Sequence, residues 1–299
     1  MSSISKVARS REDKIFDFIN FTLLTIFLIA ILYPLWFVII GSISNPDRIF
    51  AGDVLFLPKD ITFEGFQRIF ADGKIWMGYR NTIIYTVLGT TVNITLTLMA
   101  AYALSRKDLF GGKVIMLLLV FTMFFSGGLI PTYLVVKQLG LVNTMWAMIL
   151  PKAVAVWNLI VVKTFFEMTI PKDLLEAAKM DGCTNFNFFR RIVLPLSKPI
   201  IAVMVLFYAV GHWNSYFDAL IYLNDEGLYP LQLVLRSILV QNEASISMVS
   251  DLESYAAQKR IAELIKYGVI IVATLPLLIV YPFIQKYFVK GVMIGGIKG

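Results

Sequence analysis

Six stretches of this chain are long enough and poor enough in charge to lie across a bilayer, and nothing else in the sequence restricts its fold as strongly. The first, Phe21 to Ile40, carries no charged side chain in twenty residues. A bilayer core of about 30 Å takes about 20 residues of helix, and hydrocarbon offers no partner to a backbone N–H or C=O. Each stretch therefore has to satisfy its own hydrogen bonds as a helix. Asn81 to Ser105, Val114 to Val136, Pro199 to Phe217 and Tyr267 to Gln285 are also uncharged, and Met145 to Phe166 joins them if Lys152 and Lys163 are tolerated. With their flanks the predicted spans are about 17–41, 81–105, 114–136, 145–166, 199–222 and 265–288. The fold class is thus an all-α membrane protein with six transmembrane helices, read as one membrane domain over 1–299. The first span is too long for a cleavable leader and runs through Tyr33, Pro34 and Trp36 without a small-residue cleavage site.

Charge orients the spans. On alternate sides of them lie fifteen Lys and Arg against eight acidic residues, and nine against eleven. The basic side holds the N-terminal arm, the 106–113 loop, the 167–198 loop and the C-terminal tail. Retention of Lys and Arg in short loops places that side, with both termini, in the cytoplasm. The basic side is thus net +7 and the other net −2, so membrane topology accounts for the excess of basic residues and no basic patch for nucleic acid is left over. The chain has 58% hydrophobic and 16% charged residues, with one cysteine, Cys183, and one histidine, His212. These counts exclude an intramolecular disulfide, a Cys-based metal centre and any site of several histidines. No Gly-x-x-x-x-Gly-Lys-Ser/Thr phosphate loop occurs, so the chain does not hydrolyse nucleotide by itself.

The cytoplasmic loop 167–198, between the fourth and fifth spans, is the most informative segment. Pro171 suits a helix start, and Asp173 and Glu176 favour the positive end of its dipole. Gly182 is placed to end that helix, because the residue past a helix terminus commonly takes a left-handed conformation. A second short helix with Phe186, Phe189 and Arg190 leads back to the membrane, and Pro195 and Pro199 restart the chain as the fifth span. The small pair Ala177-Ala178 beside Glu176 shapes the first helix for a groove on a soluble partner. Cys183 reads as a small buried residue.

Glu176-Ala177-Ala178, three residues, Gly182, nine residues, then Ile192-Val193-Leu194-Pro195 resembles the EAA loop of the membrane subunits of binding-protein-dependent ABC importers at every fixed position. Asn81-Thr82, Ala101 to Arg106, Trp213-Asn214 and the tail Lys290-Gly291 to Lys298-Gly299 extend the likeness over nearly the whole chain. It lies in the carbohydrate-uptake branch, on the side of the smaller maltose permease subunit. The run His212 to Leu220, with Tyr229 to Gln232, is most similar to a subgroup that takes up complex oligosaccharides. The resemblance implies a permease subunit in the bacterial cytoplasmic membrane, paired with a second permease subunit, two copies of a cytoplasmic ATPase and an extracytoplasmic sugar-binding protein. It implies no cofactor in this chain, with ATP and Mg held by the ATPase. It also implies that Glu176, Ala177, Ala178, Asp181, Gly182, Phe186, Arg190, Leu194 and Pro195 form the element that couples ATPase and spans.

Candidate pathway residues are argued from type and depth. His212, Trp213, Asn214 and Asp218 concentrate polarity in the fifth span, Asp218 toward its outer end, and Asn214 and Asp218 are four apart and predicted to share a helical face. Trp213 suits either packing or stacking on a sugar ring, and Asp218 either an interfacial or a pathway position. Lys152, near the outer end of the fourth span, suits either snorkelling to the surface or contact with an acidic oligosaccharide. His212 reads as a packed neutral residue. Two other classes compete: a membrane-embedded enzyme, against which no nucleophile set, carboxylate pair or metal cluster converges, and an ion-coupled secondary carrier, which needs intramembrane carboxylates in related halves.

Overall fold

A reciprocal cap starts the first element. The Ser10 hydroxyl accepts from the Asp13 N–H while the Ser10 N–H donates to the Asp13 carboxylate, and one helix then runs Arg11–Ser42. In the computed structural model, which describes residues 10–247 and 252–292, Gly73–Ser105 and Leu252–Val292 are likewise single helices with apolar stretches of membrane-crossing length. The remaining spans are bent pairs: Gly112–Phe124 with Leu129–Gln138 at 118°, Met145–Lys152 with Val156–Thr169 at 51°, and Asn185–Leu196 with Lys198–Trp213 at 82°. Counting each pair once gives six spans, and no strand occurs among the described residues. Of the residues carrying the family likeness, Met293 to Gly299 fall outside the described residues.

The breaks correct three predicted helices, each for a local reason. In the third span, 114–136, the chain turns through Ser126-Gly127-Gly128, where Gly128 takes φ 85°. In the fourth, 145–166, two short 3-10 turns precede the helix Val156–Thr169, because Pro151 has no N–H to continue an α-helix. In the fifth, 199–222, the helix stops at Trp213 and a separate helix covers Tyr216–Tyr222. There the Asn214 amide donates to Val210 O at 2.9 Å and the Ser215 hydroxyl to His212 O at 2.6 Å. Side chains of this kind offer the backbone an alternative to the helical ladder. Asn214 and Asp218 therefore sit on different elements and do not share a helical face.

The chain divides into two compact units, Met1–Ala71 with Gln241–Val272, and Asp72–Val240 with Ala273–Gly299. In the first, Arg48 on the short helix Pro46–Phe50 bonds Asp60 at 2.7 Å and Asp53 at 3.3 Å, and Trp36 Nε1 donates to Phe56 O at 2.8 Å. In the second, the helix Gly73–Ser105 is the spine. Asn81, Tyr85, Gly89, Asn93, Thr97 and Ala101, at intervals of four, are all buried along it. Small residues on such a face let neighbouring helices approach closely. The segment 230–240, which by its apolar character could lie on the membrane surface or against another subunit, instead uses that character inside the chain. Leu231, Leu233, Val234 and Leu235 are buried, and the Leu231 N–H donates to Thr82 Oγ1 at 2.8 Å.

Gly89 marks the closest approach on the spine, since a Cβ built there would overlap the imidazole of His212. Overpacking of this kind costs about 1–3 kcal/mol. Gly89→Ala should therefore lower the thermal unfolding midpoint of the purified protein, and the same change should lower it less when made in a His212→Ala background.

Candidate functional site

The spine joins two sites about 38 Å apart, taking 1.5 Å per residue over the 25 residues from Asn81 to Arg106. At its Asn81 end the amide donates to Gly227 O at 2.8 Å and Tyr229 O at 3.1 Å, and the Tyr85 hydroxyl donates to Leu228 O at 2.7 Å. These bonds pin the turn after the fifth span. At the Arg106 end lies the loop 167–198. Asn93 falls between the two, near mid-depth.

At mid-depth Asn93 closes the break in the fourth span. Its Nδ2 donates to Lys152 O at 2.6 Å and Ala153 O at 2.9 Å, taking up carbonyls that the 3-10 turns leave out of a helical ladder. Its Oδ1 can only accept, so the His212 Nε2 found 2.7 Å away carries the proton. Beside it the Tyr208 hydroxyl accepts from the Ala155 N–H at 3.2 Å and lies 2.7 Å from Thr97 Oγ1. Unwound backbone at membrane depth persists only where such partners are supplied.

Of the five pathway candidates, the structure joins Lys152, Asp218 and His212 through this break. Lys152 Nζ meets both Asp218 oxygens, at 2.8 and 2.6 Å, with the lysine side chain 69% exposed and that of Asp218 only 16%. Lys152 lies deeper than its position in the sequence suggests, since its carbonyl is held at the level of Asn93. Trp213 is buried, and its indole N–H donates to Ala273 O at 3.0 Å. One face of it lines an apolar recess of about 710 Å³ that Thr86, Asn158 and Tyr281 also line. Asn214 is exposed and caps the helix Lys198–Trp213, outside this group. Asn93, Tyr208 and Thr97 were not singled out from the sequence. Their signal was present, because polar residues four apart in an apolar helix mark an inward face.

In the loop 167–198 a helix covers Lys172–Met180, with Pro171 at the capping position just before it. Gly182 takes φ 72°, which allows the Cys183 N–H to bond Ala178 O at 2.9 Å. Glu176, Ala177 and Asp181 are exposed, whereas Ala178 is buried in a cluster with Leu98, Ala101, Phe166, Phe188 and Val193. The two alanines thus have opposite duties, one outward and one inward. Phe186, on the helix Asn185–Phe188, is 69% exposed, and Arg190 is exposed on the wider π-type turn Phe189–Val193. Leu194 and Pro195 start the last turn before the fifth span, with Leu194 against the cluster and Pro195 exposed. Cys183 is half-buried rather than buried.

The 106–113 loop also reaches this element. Arg106 donates from Nε and Nη2 to the two Asp108 oxygens and from Nη1 to Tyr102 OH at 3.1 Å and Asn185 Oδ1 at 3.2 Å. Lys179 Nζ stands 3.6 Å from Asp108. The Arg106 hydrogen bonds hold the Asp108 carboxyl well below the usual carboxylate range, with smaller help from the charges of Arg106 and Lys179.

Residues 2–294 match the model of a family described as binding-protein-dependent transport system inner membrane component. A polygalacturonan/rhamnogalacturonan transport system permease protein, YtcP, of Bacillus subtilis strain 168 is 41% identical over 288 residues, 96% of this chain and 100% of that protein. Protein LplC of the same strain is 39% identical over 299 residues, the full length of both. A chain in the crystal structure of a bacterial ABC transporter involved in the import of the acidic polysaccharide alginate superposes with a TM-score of 0.84 at 33% identity, over 95% of this chain and 100% of that one.

Proposed function

The chain belongs to the family of binding-protein-dependent transport system inner membrane components, and from that premise we propose that it forms half of the membrane pathway of an ATP-driven importer for uronate-bearing oligosaccharides. The other half is a second permease subunit. Two copies of a cytoplasmic ATPase, holding ATP and Mg, supply the energy, and an extracytoplasmic sugar-binding protein delivers the substrate. Both termini and the loop 167–198 face the cytoplasm, in keeping with the excess of Lys and Arg on that side.

The observation that carries the reading is the geometry of the loop. A short helix presents Glu176, Ala177 and Asp181 to solvent while Ala178 anchors it to the spans, and Gly182 turns the chain straight back. An exposed helix with a small-residue surface fits a groove on a soluble partner, and its buried side transmits what that partner does. Alternating access then follows as a two-state change in packing, biased by ATP and by the loaded binding protein.

The substrate class rests on Lys152. A lysine at mid-depth is costly unless paired or facing water, and this one is paired on one side and open on the other. A sugar carboxylate can share its ammonium with Asp218, and pathway hydroxyls can meet Thr86 and Asn158 in the adjoining recess. The relatives named for polygalacturonan, rhamnogalacturonan and alginate support the same class.

Four outcomes test this reading. Purified alone, the chain should not hydrolyse ATP. In vesicles it should import only with the second permease subunit, the ATPase, ATP and the binding protein together, and uptake by this chain alone would overturn the assignment. Gly182→Val should abolish import while the protein still inserts, because a β-branched residue at φ 72° strains the turn, whereas near-normal import would remove Gly182 from the coupling element. Lys152→Gln, made with Asp218→Asn so that no carboxylate is left unpaired, should reduce uptake of an oligogalacturonate about tenfold, the loss of one charge-assisted hydrogen bond. A neutral oligomer of equal length should lose less than twofold, and equal losses for the two sugars would refute the acidic class.

A further inference from the structure

Arg106 ends a stretch that carries the family likeness and opens a loop whose other sequence signal is positive charge, and the structure gives that loop a set of side-chain contacts to the coupling element. Arg106 directly follows the last residue of the spine helix. Its side chain is 12% exposed, well below that of its partner Asp108 at 55%. One guanidinium spans three elements: Asp108 in its own loop, Tyr102 on the spine, and Asn185 on the helix that follows the coupling helix. Its carbon also lies 5.8 Å from the centre of the Tyr102 ring, which stands 5.0 Å from Phe189. Asp108 completes the link on the other side, with Lys179 of the coupling helix at 3.6 Å.

Apolar packing is incomplete where these contacts occur. Arg106, Asp108 and Lys179 line a recess of about 590 Å³, together with Tyr102, Leu175 and Phe188, between the coupling helix and the ends of the second and fourth spans. Ala178 holds one side of the coupling helix in the buried cluster, and across the recess the link is polar. A planar fork that binds carboxylate, phenol and amide at once fixes direction as well as distance, which a point charge on a flexible stem does not.

We propose that Arg106 and Asp108 are positioning residues for energy coupling: together they yoke the coupling helix, through Lys179, and the helix after it, through Asn185, to the cytoplasmic end of the second span, so that the three move as one body during transport. The inference rests on the reading of Lys172–Met180 as the coupling helix. Neither residue touches sugar or nucleotide. Their effect appears in how much transport each ATP drives.

The test uses the assembled importer in vesicles, measuring sugar imported per ATP hydrolysed with the binding protein present. Arg106→Ala should lower that ratio about tenfold, and Arg106→Lys, which keeps the charge to Asp108 but loses the reach to Asn185, should fall between it and the parent. A second arm replaces Cys183 by alanine and places cysteines at Asp108→Cys and Lys179→Cys. Without cross-linker the ratio should fall, and a short bifunctional thiol reagent should restore it to within twofold of the Cys183→Ala parent. If cross-linking instead stops import, the contact has to open during the cycle and the yoke is refuted. An Arg106→Ala ratio within twofold of the parent refutes it as well. If the parent complex itself imports nothing with ATP and binding protein, the transport reading fails, a result distinct from either of these.

Discussion

The structure depends on one amide. A membrane span can be interrupted only if something in the protein takes over the hydrogen bonds that the helix gives up, and in the fourth span that partner is Asn93, which binds the carbonyls of Lys152 and Ala153 and holds His212 on its other atom. Remove the amide and two carbonyls and an imidazole lose their partner together, each at a cost of about 1–3 kcal/mol. With it in place the chain can hold non-helical backbone, a paired lysine and a polar cluster at mid-depth. Those are the requirements for passing a polar solute.

The number of spans was legible because the membrane constraint is crude: twenty residues without charge have few alternatives to crossing. The breaks were not, because they arise from single residues whose effect depends on neighbours. Pro151 and Asn214 are visible in the sequence, but whether they bend, kink or end a helix is decided by Asn93 in one case and by Ser215 and the carbonyl of Val210 in the other. The prediction that Asn214 and Asp218 share a face failed for that reason. Asn81, Tyr85, Gly89, Asn93, Thr97 and Ala101 could have been read as an inward stripe from their spacing of four.

The loop 167–198 was more legible because its signals are local. Gly182 at positive φ and an acidic first turn act within a few residues, and both stand where the sequence puts them. What spacing cannot give is the side of the helix on which each small residue falls. Ala177 and Ala178 look equivalent in the sequence, and only the position of Phe166, Phe188 and Val193 buries one of them and leaves the other exposed. The partner of Arg106 was equally hidden, because Asn185 lies 79 residues away.

On the proposed function, the spine explains how the loop 167–198 can govern a site at mid-depth. An unbroken 33-residue helix, Gly73–Ser105, can carry a displacement along its axis, because each backbone hydrogen bond ties one turn to the next. The broken spans around it have fewer such bonds at Pro151, at Gly127-Gly128 and at Asn214, and they are the places where a change of angle costs least. Rigid transmission in one helix and compliance in its neighbours is what a two-state change of packing requires. The spine touches the coupling loop at Arg106 and the fourth-span break at Asn93, and 13 residues of continuous helix, about 20 Å, separate them. On the proposed function, a shift of the coupling helix that moves Arg106 also moves Asn93, and with it the carbonyl of Lys152 and the orientation of the ammonium that we assign to the sugar.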